Sequence, residues 1–239
     1  MSGRLWSLLV FGIVAAFPGK ANLSQPDLRD AHLTGADLSS THLRNANLIC
    51  ANLIGADLSG KHLKDANLSG KDLSGADLKN ADLRNADLTG ADLKSADLSG
   101  ADLKDANLSG AHLEDANLSR ADLKNANLIG TDLKHANLKE ADLTGADLHY
   151  ADLKNADLTG ADLKDADLSG ADLSSANLSS ADLSGACLIG ADRGSPDLSS
   201  DDLISANLSG ANLSQAHYTA KTRFPTSLNN LQAAGMILE

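Results

Sequence analysis

One period governs this chain. From Ala21 to Ala220 the sequence advances in forty units of five residues, with Leu in the third place of 38 of them and Ala in the first place of 33. Only Arg193 and Tyr218 break the third place, and the first place departs at Pro26, Thr41, Lys61, Lys71, Thr131, Pro196 and Asp201. The second place is usually Asp or Asn, the fourth Ser, Thr, Lys or Arg, and the fifth Gly, Asn, Ser or Asp. A repeat this strict decides which architectures are open before any other feature is weighed.

A period of five fits neither regular element. On an α-helix successive Leu residues would be rotated by about 140° and smeared over every face. Along a flat strand alternate Leu residues would point to opposite sides. All of them reach one core only if each unit forms one short side of a coil and then turns. Alternation within a side then points the first and third places inward and the others outward. The fifth place, with Gly35, Asn45, Gly55 and their equivalents, supplies the corners. Backbone hydrogen bonds must run between successive coils at roughly 4.8 Å, because a five-residue side holds no partner of its own.

Composition agrees with a narrow core. The 239 residues are 42% hydrophobic but only 3% aromatic, and of Trp6, Phe11, Phe17, Tyr150, Tyr218 and Phe224 only Tyr150 lies well inside the repeat. A layered domain of this length would be expected to distribute large rings through its interior. The absence of a G-x-y period excludes collagen, and the regular recurrence of Leu excludes a low-complexity disordered chain. The net charge of −12 disfavours direct binding to a phosphate backbone; no direct nucleic-acid binding is expected.

The units resemble those of the pentapeptide repeat family, whose A(D/N)LXX consensus is met at residues 76–90 by ADLKN, ADLRN and ADLTG. The resemblance implies an all-β solenoid, a right-handed quadrilateral β-helix with four units per coil. Forty units would make about ten coils, roughly 48 Å long at the inter-strand spacing. The tail HYTAKTRFP followed by AAGMI is similar to the segment that closes the last coil in several bacterial members. Three regions follow: an apolar N-terminal segment at 1–20, a β-helix at 21–220, and a C-terminal cap at 221–239.

The two ends read differently from the array. TSLNNLQAAG at 226–235 predicts a short capping helix started by Thr226 or Ser227 and stopped by Gly235. It would cover the coil edge with Leu228, Leu231, Met236 and Ile237. At the other end, Arg4 precedes the apolar run LWSLLVFGIVAAF at 5–17, which is short for a membrane span and suits the h-region of a secretory signal cleaved after Ala16. That reading places the protein in the periplasm or another extracytoplasmic compartment. The alternatives are an uncleaved apolar cap or anchor and a mistaken start, which leave a cytoplasmic protein open.

With the unit at 21–25 placed on face one, residues twenty apart become neighbours in a column. Face one then carries a basic column of Arg44, Lys64, Arg84, Lys104, Lys124 and Lys164 beside His42, His62, Asp82, Asp102, Asp122, Asp142 and Asp162. Face three does the same in part with Lys94, Lys134 and Lys154. Faces two and four hold mainly Ser or Thr in the fourth place. Asp37, Asp57, Asp77, Asp97 and Asp157 on face four are therefore the expected acidic interaction surface. Lys61 and Lys71 stand in Ala places and are expected to carry their charge outward at corners. Residues 191–203 gather Arg193, Pro196 and Asp201, and predict an irregular coil: a bulge, a decayed repeat or a binding notch.

No catalytic constellation emerges. Asp is frequent because the repeat places it there, so paired carboxylates carry no acid/base specificity. There is no glycine-rich phosphate loop, nucleophile elbow or H-E-x-x-H. His42 and His62 share a column, but two ligands make no structural zinc site. Cys50 and Cys187 fall in coils two and nine of the expected register, roughly 34 Å apart and beyond disulfide reach. No metal or cofactor is expected. The reading is a non-catalytic structural or interaction scaffold with an unidentified protein partner, its C-terminal edge being the expected site of homodimer formation. The alternative implied by the family is an acidic DNA mimic that binds a type II topoisomerase.

Overall fold

The computed structural model describes residues 32–37, 53–189, 209, 211–218 and 235–238. Within 53–189 the repeat closes into a four-sided coil of twenty residues. Second-place residues pair in parallel with those twenty positions on: Asp57 with Asp77, Asp77 with Asp97, Asp82 with Asp102, Asn107 with Asn127, and so through the array. The inward and outward assignment follows the sequence pattern. Leu78, Leu83, Leu88 and Leu93 are fully buried, as are Ala81, Ala86 and Ala91 between them. Four Leu residues per coil, stacked on those of neighbouring coils, fill the axis and leave no space for rings.

Every amide of the unit at 76–80 finds an acceptor. Ala76 N–H donates to the Leu73 carbonyl across the corner (3.0 Å), Asp77 to Ala56 of the preceding coil (2.9 Å), Leu78 to Asp97 of the next (2.7 Å) and Asn80 to Ser99 (3.0 Å). The fourth-place amide of Lys79 has no backbone partner and donates instead to the Asp77 carboxylate at 3.0 Å. This local side-chain acceptor is the structural reason for Asp or Asn in the second place. Where the acceptor is Asn127, the Ile129 amide is satisfied at 3.0 Å without a charge. The acidity of this protein is thus a choice of Asp over Asn at places whose structural need either residue meets.

Corners are made by the fourth and fifth places. Every fifth-place residue from Gly55 to Gly185 has positive φ, with Asn80 at 53° and Tyr150 at 57° among the non-glycines, whereas no fourth-place residue does. A positive φ at only the third residue of the turn marks type II geometry. At Gly100 the corner is also crowded, because an added Cβ would lie 2.6 Å from Asn80 Oδ1, while at Gly110 it would meet nothing within 4 Å. We expect Gly110→Ala to cost roughly 1–2 kcal/mol from backbone conformation alone. Gly100→Ala should cost more, and Asn80→Ala should restore the difference. Urea denaturation of the three variants checks this; equal losses at the two glycines would contradict the crowding.

Among the described residues the register changes once. Asp182 pairs with Asn212 and Cys187 with His217, offsets of thirty where the array elsewhere uses twenty. Between Ile189 and Ser209 the chain is ten residues longer than the twenty-residue period, and the offset of thirty places 211–218 on faces one and two. Arg193, Pro196 and Asp201 lie outside the described residues, as does Cys50.

At the C-terminus β1 (His217–Tyr218) pairs in parallel with β2 (Ile237–Leu238), His217 opposite Ile237. The spacing has returned to twenty, and Ile237 N–H donates to the Ala216 carbonyl at 2.9 Å. Met236 is buried in the first place, and Leu238 occupies the third but is 56% exposed at the end of the stack. Met236 therefore continues the coil ahead of β2 and Ile237 opens that strand, where a helix had been expected to lay both over the coil edge. The expected helix at 226–235 otherwise falls outside the described residues, as does the apolar segment at 1–20.

Candidate functional site

The solenoid converts sequence columns into surface columns, and its charges are tied together between coils. Lys79 reaches Asp77 in its own unit and Asp97 in the next coil, both at 3.2 Å. Arg84 bridges Asp82 at 2.7 Å and Asp102 at 3.3 Å. Lys134 bridges Asp132 and Asp152 at 3.1 and 2.9 Å, and Lys164 bridges Asp162 and Asp182 at 3.0 and 3.2 Å. Lys124, Lys139 and Lys154 reach forward to Asp142, Asp157 and Asp172. A long flexible cation in the fourth place lies between two carboxylates set one coil apart, and this geometry produces the clamp. Each such exposed pair contributes only tenths of a kcal/mol, so the clamps shape the surface potential more than the stability.

The titration of these groups follows the contacts. The Arg84 guanidinium, hydrogen-bonded to Asp82, lowers that carboxyl to about 2 against partial burial that works the other way. Asp57 is lowered first by the Ser59 hydroxyl and then by the Ser59 amide. For Asp97, Asp142, Asp157, Asp172 and Asp182, burial pushes upward but is outweighed by hydrogen bonds from the unit's own fourth residue and by the clamping lysine, leaving each below its ordinary value. Lys61, in an Ala place, is 8% exposed. Its burial pushes the ammonium down while the carboxylates of Asp57 and Asp37 oppose the shift. The charge is thus held beside face four; it does not project outward as the sequence had led us to expect.

Asp37, Asp57, Asp77 and Asp97 fall in one continuous column, which then runs through Asn117 and Asn137 to Asp157. The structure brings these five residues onto a single side. It also sets cations among them: Lys61 near the first two, Lys79 across Asp77 and Asp97, and Lys139 on Asp157 at 3.1 Å. Asn117 and Asn137 continue the column as a side-chain amide ladder, with Asn137 Nδ2 donating to Asn117 Oδ1 at 3.0 Å. The acid column is therefore shorter and better neutralised than the fourth-place pattern implied.

Face two was passed over in the sequence reading and differs from the rest. From Asn67 to Ile189 its outward places are Asn67, Ser69, Asp87, Thr89, Asn107, Ser109, Asn127, Ile129, Asp147, His149, Asp167, Ser169, Cys187 and Ile189. No Lys, Arg or Glu stands among them, and every corner of this face from Gly70 to Gly170 is glycine except Tyr150. Near its C-terminal end His149 packs edge-on against Tyr150, and His149 Nδ1 is buried without a hydrogen bond, 4.0 Å from Asp167. Cys187 Sγ lies 3.1 Å from Ser169 Oγ. Reading each column by residue size as well as charge would have found this side.

Among the described residues no three His, Cys, Asp or Glu side chains converge as a metal set, and no helix is long and apolar enough to cross a membrane. The repeat thus displays its polar groups in rows along open sides.

Comparison with known proteins returns the same repeat. The family model for pentapeptide repeats matches in eight copies, over residues 20–60, 62–94, 96–134, 121–160 and 156–192. Comparison with curated proteins gives no significant match. Among solved structures the chain is similar to HetL of Nostoc sp. strain PCC 7120, a pentapeptide repeat protein involved in heterocyst differentiation regulation, at 39% identity over 83% of this chain and 91% of that one, with a TM-score of 0.45. A second Nostoc PCC 7120 pentapeptide repeat protein is 41% identical over 49% of this chain and 84% of its own, with a TM-score of 0.39. QnrB1, a plasmid-mediated fluoroquinolone resistance protein, is 20% identical over 79% of this chain and 84% of its own, with a TM-score of 0.46. The family match covers most of the array whose ladder and core are described above, and the chain belongs to the pentapeptide repeat family.

Proposed function

We propose that this protein is a non-catalytic scaffold: a stiff rod of about ten coils, closed at its C-terminus by residues 221–239, that presents fixed rows of side chains to a protein partner. The observation that carries the reading is the unbroken ladder across residues 53–189, in which each coil is bonded to the next on all four sides. Such a lattice orders backbone and surface together, so a partner meets groups already held in place. Neutralising clamps along three faces support a protein partner over imitation of a phosphate backbone, because they interrupt the run of like charge that such imitation needs. The apolar run at 5–17 supports export, and the exposed Ile237 and Leu238 support pairing of two copies at the C-terminal edge.

Small-angle scattering and N-terminal sequencing after cell fractionation test this together. The expected result is a rod with a long dimension of roughly 50 Å per copy at the inter-strand spacing, unchanged between low and high salt, with a mature start at Phe17 in an extracytoplasmic fraction. A flexible or salt-collapsing particle would remove the scaffold reading, and an intact Met1 in the cytosol would remove export.

A further inference from the structure

We propose that face two, from Asn67 to Ile189, is the side on which this scaffold docks its partner, and that the partner is a protein surface presenting an apolar contact flanked by Lys or Arg side chains. The inference rests on the scaffold reading above and names the side and the chemistry.

Three independent features meet on this face. The first is charge. Asp87 accepts hydrogen bonds from the amide and hydroxyl of Thr89, Asp147 from the His149 amide, and Asp167 from the Ser169 amide. Among the described residues none of the three is paired with a Lys or Arg, whereas the columns of the other faces are clamped by Lys79, Arg84, Lys134 and Lys164. The second is apolar exposure. Ile129, 38% exposed, is the one exposed large hydrophobic residue among the described residues between Asn67 and Ile189; the other two, Ile237 and Leu238, lie beyond this span at the C-terminal edge. Ile129 stands between Asp87 and the adjacent pair Asp147 and Asp167, so an apolar centre is flanked by carboxylates on both sides along the rod. The third is relief. Gly70, Gly90, Gly110 and Gly130 at the corners, with Ser69, Thr89 and Ser109 in the fourth places, leave small side chains along the side leading up to Ile129, where the other faces carry Lys and Arg clamps.

These features specify complementarity. A second copy docking face to face would set Asp87, Asp147 and Asp167 against carboxylates of the same kind, which like-charge repulsion disfavours. A partner with cations at either end of an apolar contact satisfies both elements at once. The carboxylates are also separable from the fold, since each contributes a backbone acceptor that Asn supplies at Asn67, Asn107 and Asn127 in the same column.

The test uses the full chain and a fluorescein-labelled synthetic peptide of alternating Lys and Leu as the probe, with anisotropy for affinity and carbodiimide coupling of peptide amines to carboxylates for position. The expected result is coupling at Asp87, Asp147 and Asp167. Affinity should fall at least tenfold in the Asp87→Asn, Asp147→Asn, Asp167→Asn triple variant and about fivefold in Ile129→Ser. It should fall less than twofold in the face-four control Asp57→Asn, Asp77→Asn, Asp97→Asn. Circular dichroism confirms that each variant retains the solenoid. Equal losses in the two triple variants, or coupling spread over all faces, would overturn the assignment to face two while leaving the scaffold reading intact. Absence of peptide binding would overturn the proposed chemistry. A dimer by sedimentation that Ile129→Ser dissociates would give the face to a second copy and overturn the proposal as well.

Discussion

Leu108→Asp is expected to abolish cooperative folding of the rod, whereas Leu108→Ala should leave it folded and weaker by about 3 kcal/mol. Leu108 is fully buried, and the residues twenty before and after it, Leu88 and Leu128, occupy the same inner place of adjoining coils. An alanine leaves a cavity in a core only four side chains wide, so few neighbours can move to fill it. An aspartate places a carboxylate there with no cation and no donor, a penalty far larger than a lost methylene group. The architecture magnifies the effect, because each coil touches only its neighbours and stability is transmitted along one dimension. Hydrogen exchange should therefore show Leu108→Asp unprotected on both sides of the substitution, and urea denaturation should show Leu108→Ala with one transition at a lower midpoint. If Leu108→Asp unfolded in a single transition like that of the parent, the continuous core would be disproved.

The second large effect is acid lability. Asp82 titrates at about 2 in the folded chain against 3.8 for the unperturbed carboxyl, and Asp57, Asp97, Asp142, Asp157, Asp172 and Asp182 are also lowered. A carboxyl whose folded value is depressed stabilises the fold above its unfolded value and loses that contribution as pH falls toward the folded one. Stability should therefore hold level from neutrality down to about pH 4.5 and then decline steeply between about pH 4 and pH 2. The loss is cumulative over these seven carboxyls, each of which accepts a bond from the fourth-place amide of its own unit. Replacing Asp82 by Asn keeps the amide acceptor, removes the titration, and should flatten the profile slightly. Melting temperatures measured at half-unit pH intervals decide it. A midpoint that rises below pH 4 would show that relief of the net negative charge outweighs these bonds.

The two effects have different origins in the sequence. The core was legible residue by residue: the Leu and Ala places named the buried side chains, and the fifth place named the corners, including Tyr150 and Arg120, whose own conformational preferences are unfavourable there. The role of Asp in the second place was encoded too, as an acceptor two residues before an amide that no strand partner reaches. It is visible only once the backbone bonds are assigned, because the unpaired amide is a property of the coil. The candidate surface was half legible. Columns could be drawn from a twenty-residue spacing, which placed Asp37, Asp57, Asp77, Asp97 and Asp157 together. The cations that answer them depend on side chains reaching forward by a coil, and Lys61 turned out buried where its sequence position implied a projecting charge.

What the sequence determined by itself is local and periodic: which side chains face inward, where the chain turns, and that no regular helix or flat sheet accommodates the Leu positions. Those follow from alternation within a strand and from the turn-forming chemistry of the fifth place, both settled within a few residues. Only the tertiary structure decided the offset between coils. The shift from twenty to thirty at Asp182–Asn212 and Cys187–His217, and the return to twenty at His217–Ile237, preserve the five-residue phase, so the irregular places Arg193, Pro196 and Asp201 signal a disturbance in the sequence but not the size of the offset. Register of that kind is set by hydrogen bonds between chain segments far apart in sequence, and those exist only after the coil has closed.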